Sequence, residues 1–343
     1  MLPGDFLERM QRMLGDEFGA FLEAFEGERF QGLRLNPLKI GRDGRSALEW
    51  FGAGQGALEG PGDGRSVLEG PGDGRSVLEG SGAGRSALAW AASGEDGLDG
   101  KGNGFAHLRK VPWAADGFYY ASLDQPGKHP YHEAGVYYIQ EPSAMAPVEL
   151  LDVRPGERVL DLCAAPGGKS VQIGAKLRGR GLLVSNEIHP ARAKILSENV
   201  ERMGICNACV TNETPERLAE LFAGFFDRIL VDAPCSGEGM FRKNQEACAE
   251  WSLENVRLCA QRQDRILDCA AGMLRPGGRL VYSTCTFAPE EDEGSVGRFL
   301  RRHGEFWILP VDKRMAGLEG CDGMPGYGGL EGCDGMSGHG EAE

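Results

Sequence analysis

Long apolar runs are absent from the 343-residue sequence. No stretch approaches the roughly 18 residues that a membrane-spanning helix needs, so we expect no membrane partner. Residues 2–25 carry apolar side chains at helical spacing, but charged residues interrupt them. The uncharged core of a signal peptide is therefore missing, and we expect a cytoplasmic protein.

Basic side chains are scarce, with 37 lysines and arginines against 51 acidic residues and a net charge of −14. Over the whole chain this acidity argues against a nucleic-acid ligand. The excess is concentrated, however, because residues 41–100 and 311–343 each carry a net charge of −5. Basic side chains cluster in the remainder at Arg242-Lys243 and at Arg298, Arg301 and Arg302. The net charge therefore does not exclude RNA.

Two segments stand out by repetition and by their many glycines. The decapeptide PGDGRSVLEG occupies residues 61–70 and 71–80 with looser copies on both sides, and GLEGCDGM occurs twice near the C-terminus. A ten-residue period matches no familiar solenoid repeat. We therefore predict a flexible insert at about 41–100 and a disordered tail at 311–343. A short β-solenoid is the alternative for the insert.

From residue 155 onward the sequence alternates between strand-like and helix-like segments. Strands are predicted at 158–162, 181–187, 208–212, 227–232 and 279–284, and helices at 169–177, 190–203 and, after the N-cap Ser252, up to 274. Repeated βαβ units predict a doubly wound, parallel α/β sheet. We assign it to a domain over residues 151–310. The preceding domain, residues 1–150, contains the insert, an opening helix and a strand at 32–40.

Ligands of doubly wound sheets bind beyond the carboxyl ends of the strands, where three features coincide. These are the loop Asp161-Leu162-Cys163-Ala164-Ala165-Pro166-Gly167-Gly168-Lys169-Ser170, the pair Asn186-Glu187, and Asp232. Glycines let a ligand approach the backbone, and a carboxylate at the second strand end can accept ribose hydroxyls. The loop is neither a P-loop nor GxGxxG, so S-adenosylmethionine is the natural nucleoside cofactor. A tight turn and a solvated strand end are the alternatives for each feature alone.

Two of the ten cysteines stand directly after predicted strand ends. Cys235 lies in Asp-Ala-Pro-Cys-Ser-Gly and Cys285 in Ser-Thr-Cys-Thr-Phe, at the same edge of the sheet as the glycine loop. Five others are interpreted as small buried apolar residues with reduced thiols, namely Cys206, Cys209, Cys248, Cys259 and Cys269. Cys206 and Cys209 form a lone C-x-x-C, which supports no metal site without a second half.

Four segments together resemble the Sun-type RNA (cytosine-carbon-5) methyltransferases. They are DLCAAPGGKS, NEIHPARAKILSENVERMGI, FDRILVDAPCSGEGMFRK and LVYSTCTFAPEE, and the likeness extends upstream through GLRLNPLK and GKHPYHEAGVYYIQEPSAM. It covers residues 1–40 and 105–310 and is strongest to the bacterial branch that acts on small-subunit ribosomal RNA. The resemblance implies a mostly parallel, Rossmann-like S-adenosylmethionine methyltransferase sheet with a smaller N-terminal α+β domain of RNA-binding type.

The resemblance also implies a role for each candidate site residue. Cys285 is the nucleophile that adds to carbon 6 of cytosine, and Cys235 promotes release of the methylated RNA. Asp232 contacts the cytosine edge and the cofactor, and Lys169 points toward the same site. The methionine part of the cofactor is held by Cys163, Ala164, Ala165, Pro166, Gly167, Gly168 and Lys169, its ribose by Glu187, and its adenine lies near Asn212 or Thr214. The target base leaves its stack to enter the site.

The expected activity is therefore methylation of carbon 5 of a cytosine in ribosomal RNA, by a monomeric enzyme without a metal ion. The same chemistry on transfer RNA is one alternative, and a catalytically silent RNA-binding ribosome-assembly factor is another. Two features depart from the family pattern. Asp292 stands where the family usually has Asn, and the Gly-rich tail stands where bacterial ribosomal members commonly carry an RNA-binding region.

Overall fold

The computed structural model of the protein describes residues 2–27, 29–40 and 108–311. The insert predicted at 41–100 lies outside the described residues, and so does the predicted tail beyond residue 311. Within the described ranges, no helix is both long enough and apolar enough to cross a membrane.

The chain opens with two helices, although the apolar spacing predicts one. They are α1, Gly4–Leu14, and α2, Phe18–Glu26. Gly15 ends α1 with a φ of 53°, a conformation that favours glycine because a Cβ would be strained there. Both helices still direct their rings into one cluster, since Phe6 packs against Phe21 with 6.3 Å between ring centroids.

A small antiparallel sheet follows the two helices. Its strands are β1, Gln31–Leu35, β2, Arg109–Lys110, β3, Gly117–Tyr120, and β4, Tyr137–Ile139, in the order β2-β3-β1-β4. The strand predicted at 32–40 stops at Leu35, because the Asn36 side chain accepts the N–H of Leu38 in a turn and Pro37 has no N–H to pair. This sheet and the two helices form the expected N-terminal α+β unit.

The second part of the chain forms a five-stranded sheet in which all neighbouring strands are parallel. Its strands are β5, Arg158–Asp161, β6, Leu182–Asn186, β7, Ala208–Thr211, β8, Phe226–Asp232, and β9, Leu274–Ser283. The helices before and between them are α3, Pro130–Glu133, α4, Pro142–Leu151, α5, Gly168–Leu177, α6, Pro190–Arg202, α7, Pro215–Leu221, α8, Gln245–Glu250, and α9, Leu253–Met273, and the last is α10, Glu293–Arg302. The predicted doubly wound parallel sheet is confirmed.

Alternating residues of the central strand β5 face the two helical layers. Val159 packs in one cluster with Leu196 of α6, whereas Leu160 packs in another with Ile266 of α9. Both strand residues are fully buried. This period of two is typical of a strand that is covered on both faces.

The direction of strand addition reverses next to β5. The sheet order is β7-β6-β5-β8-β9, so the chain runs outward from β5 to β7 and then returns to the other side of β5. The loops that follow β5 and β8 therefore diverge and leave a crevice at the carboxyl edge of the sheet.

The long helix α9 begins where the sequence predicts, but the strand that follows it begins earlier than predicted. Ser252 caps it, because its Oγ accepts the N–H of Asn255 at 3.0 Å. The helix ends at Met273, and β9 begins at once with Leu274 rather than at residue 279. A register shift in the pairing with β8 accommodates the extra residues.

Candidate active site

A cavity of about 540 Å³ lies between the carboxyl edge of the parallel sheet and the N-terminal sheet. One wall is formed by the loop after β5 together with Asp161 and Asp232, and the opposite wall by residues of β1 and β4 and their flanks. Of the predicted site residues, the cavity wall includes Cys163, Ala164, Ala165, Pro166, Gly168, Lys169 and Asp232. The structure therefore brings the predicted ends of the neighbouring strands β5 and β8 to one cavity.

The glycine loop after β5 has little room for side chains. Gly167 has a φ of 116°, and a Cβ on it would lie 3.1 Å from Leu196. A Cβ on Gly168 would lie 3.1 Å from the ring of Tyr138, which belongs to the N-terminal sheet. Arg192 donates to the carbonyl of Ala165 at 2.8 Å and so holds the loop from α6. The glycines are thus needed for close packing on both sides of the loop.

Asp161, at the end of β5, is a site residue that the sequence analysis quoted without giving it a role. It is fully buried, and burial raises the pKa of its carboxyl group to about 7. Its Oδ2 accepts a hydrogen bond from Ser170 at 2.7 Å, whereas Oδ1 has no partner among the described residues. Because the residue lines the cavity, this free acceptor fits a ligand that offers an N–H or O–H.

Glu187 and Asn212 lie together at the ends of β6 and β7. Asn212 donates to the main-chain carbonyl of Glu187 at 2.6 Å, and the Glu187 carboxylate accepts the N–H of His189 at 2.9 Å. Arg192 lies 3.4 Å from the same carboxylate. Neither predicted cofactor ligand is part of the 540 Å³ cavity wall. Thr214, the alternative adenine neighbour, caps α7 by accepting the N–H of Arg217.

Lys169 and Asp232 form an ion pair on the cavity wall. Lys169 Nζ lies 2.6 Å from Asp232 Oδ2, and Ser283 Oγ donates to Asp232 Oδ1 at 2.8 Å. The pair joins the first turn of α5 to the ends of β8 and β9. Both carboxylate oxygens of Asp232 are thus held in a fixed orientation. A side chain that contacts the edge of a substrate ring requires such an orientation.

The two predicted cysteines meet beside this ion pair. Their Sγ atoms are 3.2 Å apart, and both thiols are free. The hydrogen bond from Cys235 lowers the pKa of Cys285, and Lys169 lowers it further against the opposing effects of burial and of Asp232. The same hydrogen bond and burial raise the pKa of Cys235. Of the two thiols, Cys285 therefore has its pKa shifted toward the thiolate form and Cys235 toward the protonated form.

Two buried carboxylates hold the thiol loops, which we define as residues 233–240 and 284–292. Glu291 accepts the main-chain N–H of Ser236 at 3.0 Å, so it ties the second loop to the first. Glu238 accepts the main-chain N–H of Phe287 at 3.0 Å and ties the first loop to the second. Glu238 is in turn paired with the buried Arg9 of α1. Sequence analysis missed Glu238, because its burial depends on α1, more than 200 residues earlier.

Some of the sequence-based interpretations are wrong. Cys206 and Cys209 are exposed rather than buried, because they flank and enter β7, an outer strand of the sheet. The basic cluster of α10 is largely neutralised, since Arg298 and Arg302 bind Asp264 and Asp268 of α9.

Three comparisons with known proteins agree with this geometry. The family described as 16S rRNA methyltransferase RsmB/F matches residues 148–319, and the N-terminal domain of 16S rRNA methyltransferase RsmF matches residues 2–52 and 99–142. Ribosomal RNA small subunit methyltransferase F of Aeromonas salmonicida is 39% identical over 206 residues, which are 58% of this chain and 43% of the relative. The chain thus spans about two fifths of the length of the curated relatives it matches.

Solved structures share the fold over most of the described chain. A methyltransferase homolog protein from Pyrococcus horikoshii is 27% identical, with a TM-score of 0.63, and the match covers 86% of this chain and 77% of that one. NSun6 from Pyrococcus horikoshii, solved with SFG, has a TM-score of 0.60 at 21% identity, with 88% and 87% covered. The second likeness concerns the fold alone.

Proposed function

Because the chain belongs to the family of 16S rRNA methyltransferases RsmB/F, we propose that it methylates carbon 5 of a cytosine in small-subunit ribosomal RNA. The observation that carries this proposal is the thiol pair, with 3.2 Å between the Sγ atoms of Cys235 and Cys285 and a lowered pKa at Cys285. A thiolate close to Lys169 and Asp232, which line the main cavity, is suited to nucleophilic catalysis on a pyrimidine.

The cofactor is S-adenosylmethionine, and the residues around the cavity fit it. The unpartnered Oδ1 of Asp161 is free to accept a hydrogen bond from the amino group of the methionine part. Gly168 lines the same cavity, and a Cβ on it would lie 3.1 Å from the ring of Tyr138 on the opposite wall, so the backbone is left accessible where the cavity is narrow. Glu187 and Asn212, one strand further, are the proposed contacts for the ribose and the adenine. When bound, the cofactor supplies an electrophilic methyl group.

Cys285 activates the cytosine in this proposal. Its thiolate forms a bond to carbon 6, and the electron pair of the 5,6 double bond moves toward carbon 5, which becomes nucleophilic. Once carbon 5 has gained the methyl group, with the methyl donor left as a neutral thioether, its proton passes to a water molecule, the 5,6 double bond forms again, and the thiolate of Cys285 leaves. The hydrogen bond from Cys235 favours the thiolate as both the attacking and the leaving group.

Asp232 and Lys169 position the ring. The Asp232 carboxylate, held by Lys169 at 2.6 Å and by Ser283 at 2.8 Å, accepts a hydrogen bond from the exocyclic amino group of cytosine. The positive charge of Lys169 stabilises the negative charge that the ring gains on thiolate addition. A free thiol at Cys235 then promotes release of the methylated RNA.

The test is methyl incorporation by the full chain. Labelled S-adenosylmethionine is incubated with unmethylated small-subunit ribosomal RNA, and bisulfite sequencing locates any 5-methylcytosine. We expect incorporation at a discrete cytosine, and heat-denatured protein is the control. Label on transfer RNA instead would favour the alternative substrate. RNA binding without incorporation into any cytosine would contradict catalysis and favour an assembly factor.

A further inference from the structure

A second, smaller cavity of about 250 Å³ adjoins the candidate active site, and we call it the flanking cleft. Arg29, Phe30, Glu141 and Lys243 line both cavities, so the two spaces are adjacent. The flanking cleft lies between the segment before β1, the loop around Trp113 and the short turn 238–243. A chain that enters the active site therefore has a direct path into this cleft.

Aromatic rings form one side of the flanking cleft. Phe30 is 41% exposed, and its ring meets that of Tyr119 edge-on with 5.9 Å between centroids. Trp113 is half-buried, and its indole N–H donates to the carbonyl of Pro142 at 2.9 Å, which fixes the ring plane. Three rings at one exposed cavity are available for a planar ligand to stack on.

Positive charge forms the other side. Arg29 is exposed and makes no hydrogen bond or ion pair among the described residues. Arg242 donates from one nitrogen to the carbonyl of Gly27, and its other N–H groups make no hydrogen bond among the described residues. Lys243 is neutralised by Glu141 at 2.6 Å. The cleft therefore offers two uncompensated guanidinium groups, which favour an anionic ligand such as a phosphate.

The floor of the flanking cleft contacts the backbone of the nucleophile. Gly239 lines the cleft, and its N–H donates to the carbonyl of Cys285 at 2.8 Å. A Cβ on Gly239 would lie 2.9 Å from that carbonyl oxygen. A ligand in the cleft therefore lies next to the reacting residue.

We propose that the flanking cleft binds the nucleotide adjacent to the target cytosine, with its base stacked on the aromatic side and its phosphate held by Arg29 and Arg242. The proposal rests on the proposed function, because it takes the ligand of the main cavity to be a cytosine in RNA. Single-stranded RNA is typically bound by aromatic rings interleaved with basic groups. The cleft thus selects RNA in which the nucleotide next to the target cytosine is unpaired. It also helps to hold the target base out of its stack.

The test measures the binding of fluorescein-labelled pentacytidylate to the full chain by anisotropy, with cytidine monophosphate as competitor. We expect Phe30→Ala to weaken pentacytidylate binding roughly tenfold, because one stacking surface is lost. The affinity for cytidine monophosphate should fall less than the affinity for pentacytidylate, because Phe30 lines the main cavity only at its border with the cleft. Arg29→Ala should weaken binding several-fold and reduce the slope of log affinity against log salt by about 0.7, the value for one phosphate on a single strand. Phe30→Ala should leave that slope unchanged.

Matched controls lie away from the cleft. Trp307→Ala removes an aromatic ring that is 76% exposed, and Arg180→Ala removes an exposed arginine at the opposite edge of the parallel sheet. Both should bind pentacytidylate like the wild type. Thermal unfolding of every variant shows whether it is folded.

The outcomes separate this proposal from the proposed function. If the wild type and both cleft variants bind pentacytidylate with equal affinity, the proposal for the cleft is overturned, even when ribosomal RNA is methylated. Absence of pentacytidylate binding by the wild type also overturns it. Weakened binding in the cleft variants supports the cleft, even when no RNA is methylated. Displacement of the probe by polyglutamate, with the same sensitivity to Phe30→Ala, would assign the cleft to an acidic protein partner and overturn the proposal.

Discussion

The two sides of the main cavity are held in place by different interactions. The thiol loops are tied to each other by Glu238 and Glu291, whose carboxylates accept buried main-chain N–H groups of the opposite loop. The wall from the N-terminal sheet reaches the cofactor loop through Arg34, which donates to the carbonyl of Gly168 at 3.0 Å. The thiol side is therefore held by hydrogen bonds within itself, whereas the opposite wall is held by contacts between the two parts of the chain, such as that of Arg34 with Gly168. We expect changes on the first side to affect catalysis and stability, and changes on the second to affect binding.

The largest effect is expected on the thiol side, from Cys285→Ala. Loss of the nucleophile should reduce methyl transfer at least roughly a thousandfold, measured as label in ribosomal RNA. Cys235→Ala should instead accumulate a covalent RNA adduct, seen as a shifted band on a denaturing gel. Cys259→Ala, a buried cysteine of α9, is the control with nearly unchanged activity. Activity retained by Cys285→Ala but lost in Cys235→Ala would reverse the two roles.

Glu238→Gln tests how strongly the thiol side is held. Glu238 is fully buried and bonded to Arg9, to the indole N–H of Trp251 at 2.8 Å and to the N–H of Phe287. The variant keeps the shape but leaves the Arg9 charge buried without a partner, so the free energy of unfolding should fall by about 3–5 kcal/mol.

The control for that variant is Glu220→Gln, which removes an exposed ion pair with Arg217. Such a pair contributes at most about 0.5 kcal/mol. Urea unfolding measures both variants. If the free energy of unfolding fell by a similar amount in the two variants, the buried carboxylate would not be what holds the thiol loops.

Arg34→Met tests the opposite wall. Arg34 is fully buried, and burial lowers the pKa of its guanidinium to about 10. Methionine keeps the packing but removes the bonds to Gly168 and Gln140. We expect S-adenosylmethionine to bind roughly tenfold more weakly by calorimetry, because the loop it rests on loses a tether worth about 1.5 kcal/mol.

A second cross-domain contact provides the matched control for Arg34→Met. Lys39 donates to the carbonyls of Ala134 and Arg202, away from the cavity. Lys39→Met removes a comparable bond between the same two parts of the chain and should leave cofactor affinity unchanged. An equal loss of affinity in both variants would mean that domain packing in general, rather than the Arg34 tether, sets the cofactor site.

A pH dependence of stability is expected at Asp292 in the second thiol loop. Burial raises the pKa of Asp292 to about 7, and Thr284 donates to its carboxyl group at 2.6 Å. The unfolded chain loses this proton near pH 4, whereas the folded protein keeps it up to about pH 7. Raising the pH through this window therefore favours unfolding.

Asp292→Asn removes this titration. Relative to the wild type, the variant should gain on the order of 3–4 kcal/mol in the free energy of unfolding between pH 4 and pH 8, about 1.4 kcal/mol for each unit of the pKa shift. Urea unfolding at both pH values measures this gain. A stability difference that stays constant with pH would show that Asp292 ionises normally in the folded protein.

Local sequence was sufficient where the pattern depends on near neighbours. The strands of the parallel sheet follow from short apolar runs such as Arg158–Asp161, and Ser252 predicts the start of α9 because an N-cap acts within one turn. The loop Cys163–Lys169 and the cysteines at 235 and 285 follow from their positions after strand ends. The break at Gly15 was missed, because apolar spacing continues through it.

The sequence by itself determined the parallel α/β sheet, the family and the candidate site residues, because each depends on contiguous segments. Only the tertiary structure decided which groups meet. The 3.2 Å contact of the two thiols, the free Oδ1 of Asp161 and the burial of Glu238 against Arg9 join residues far apart in the chain. A pKa depends on burial and on neighbouring charges, so the opposite pKa shifts of the two thiols follow only from the folded arrangement.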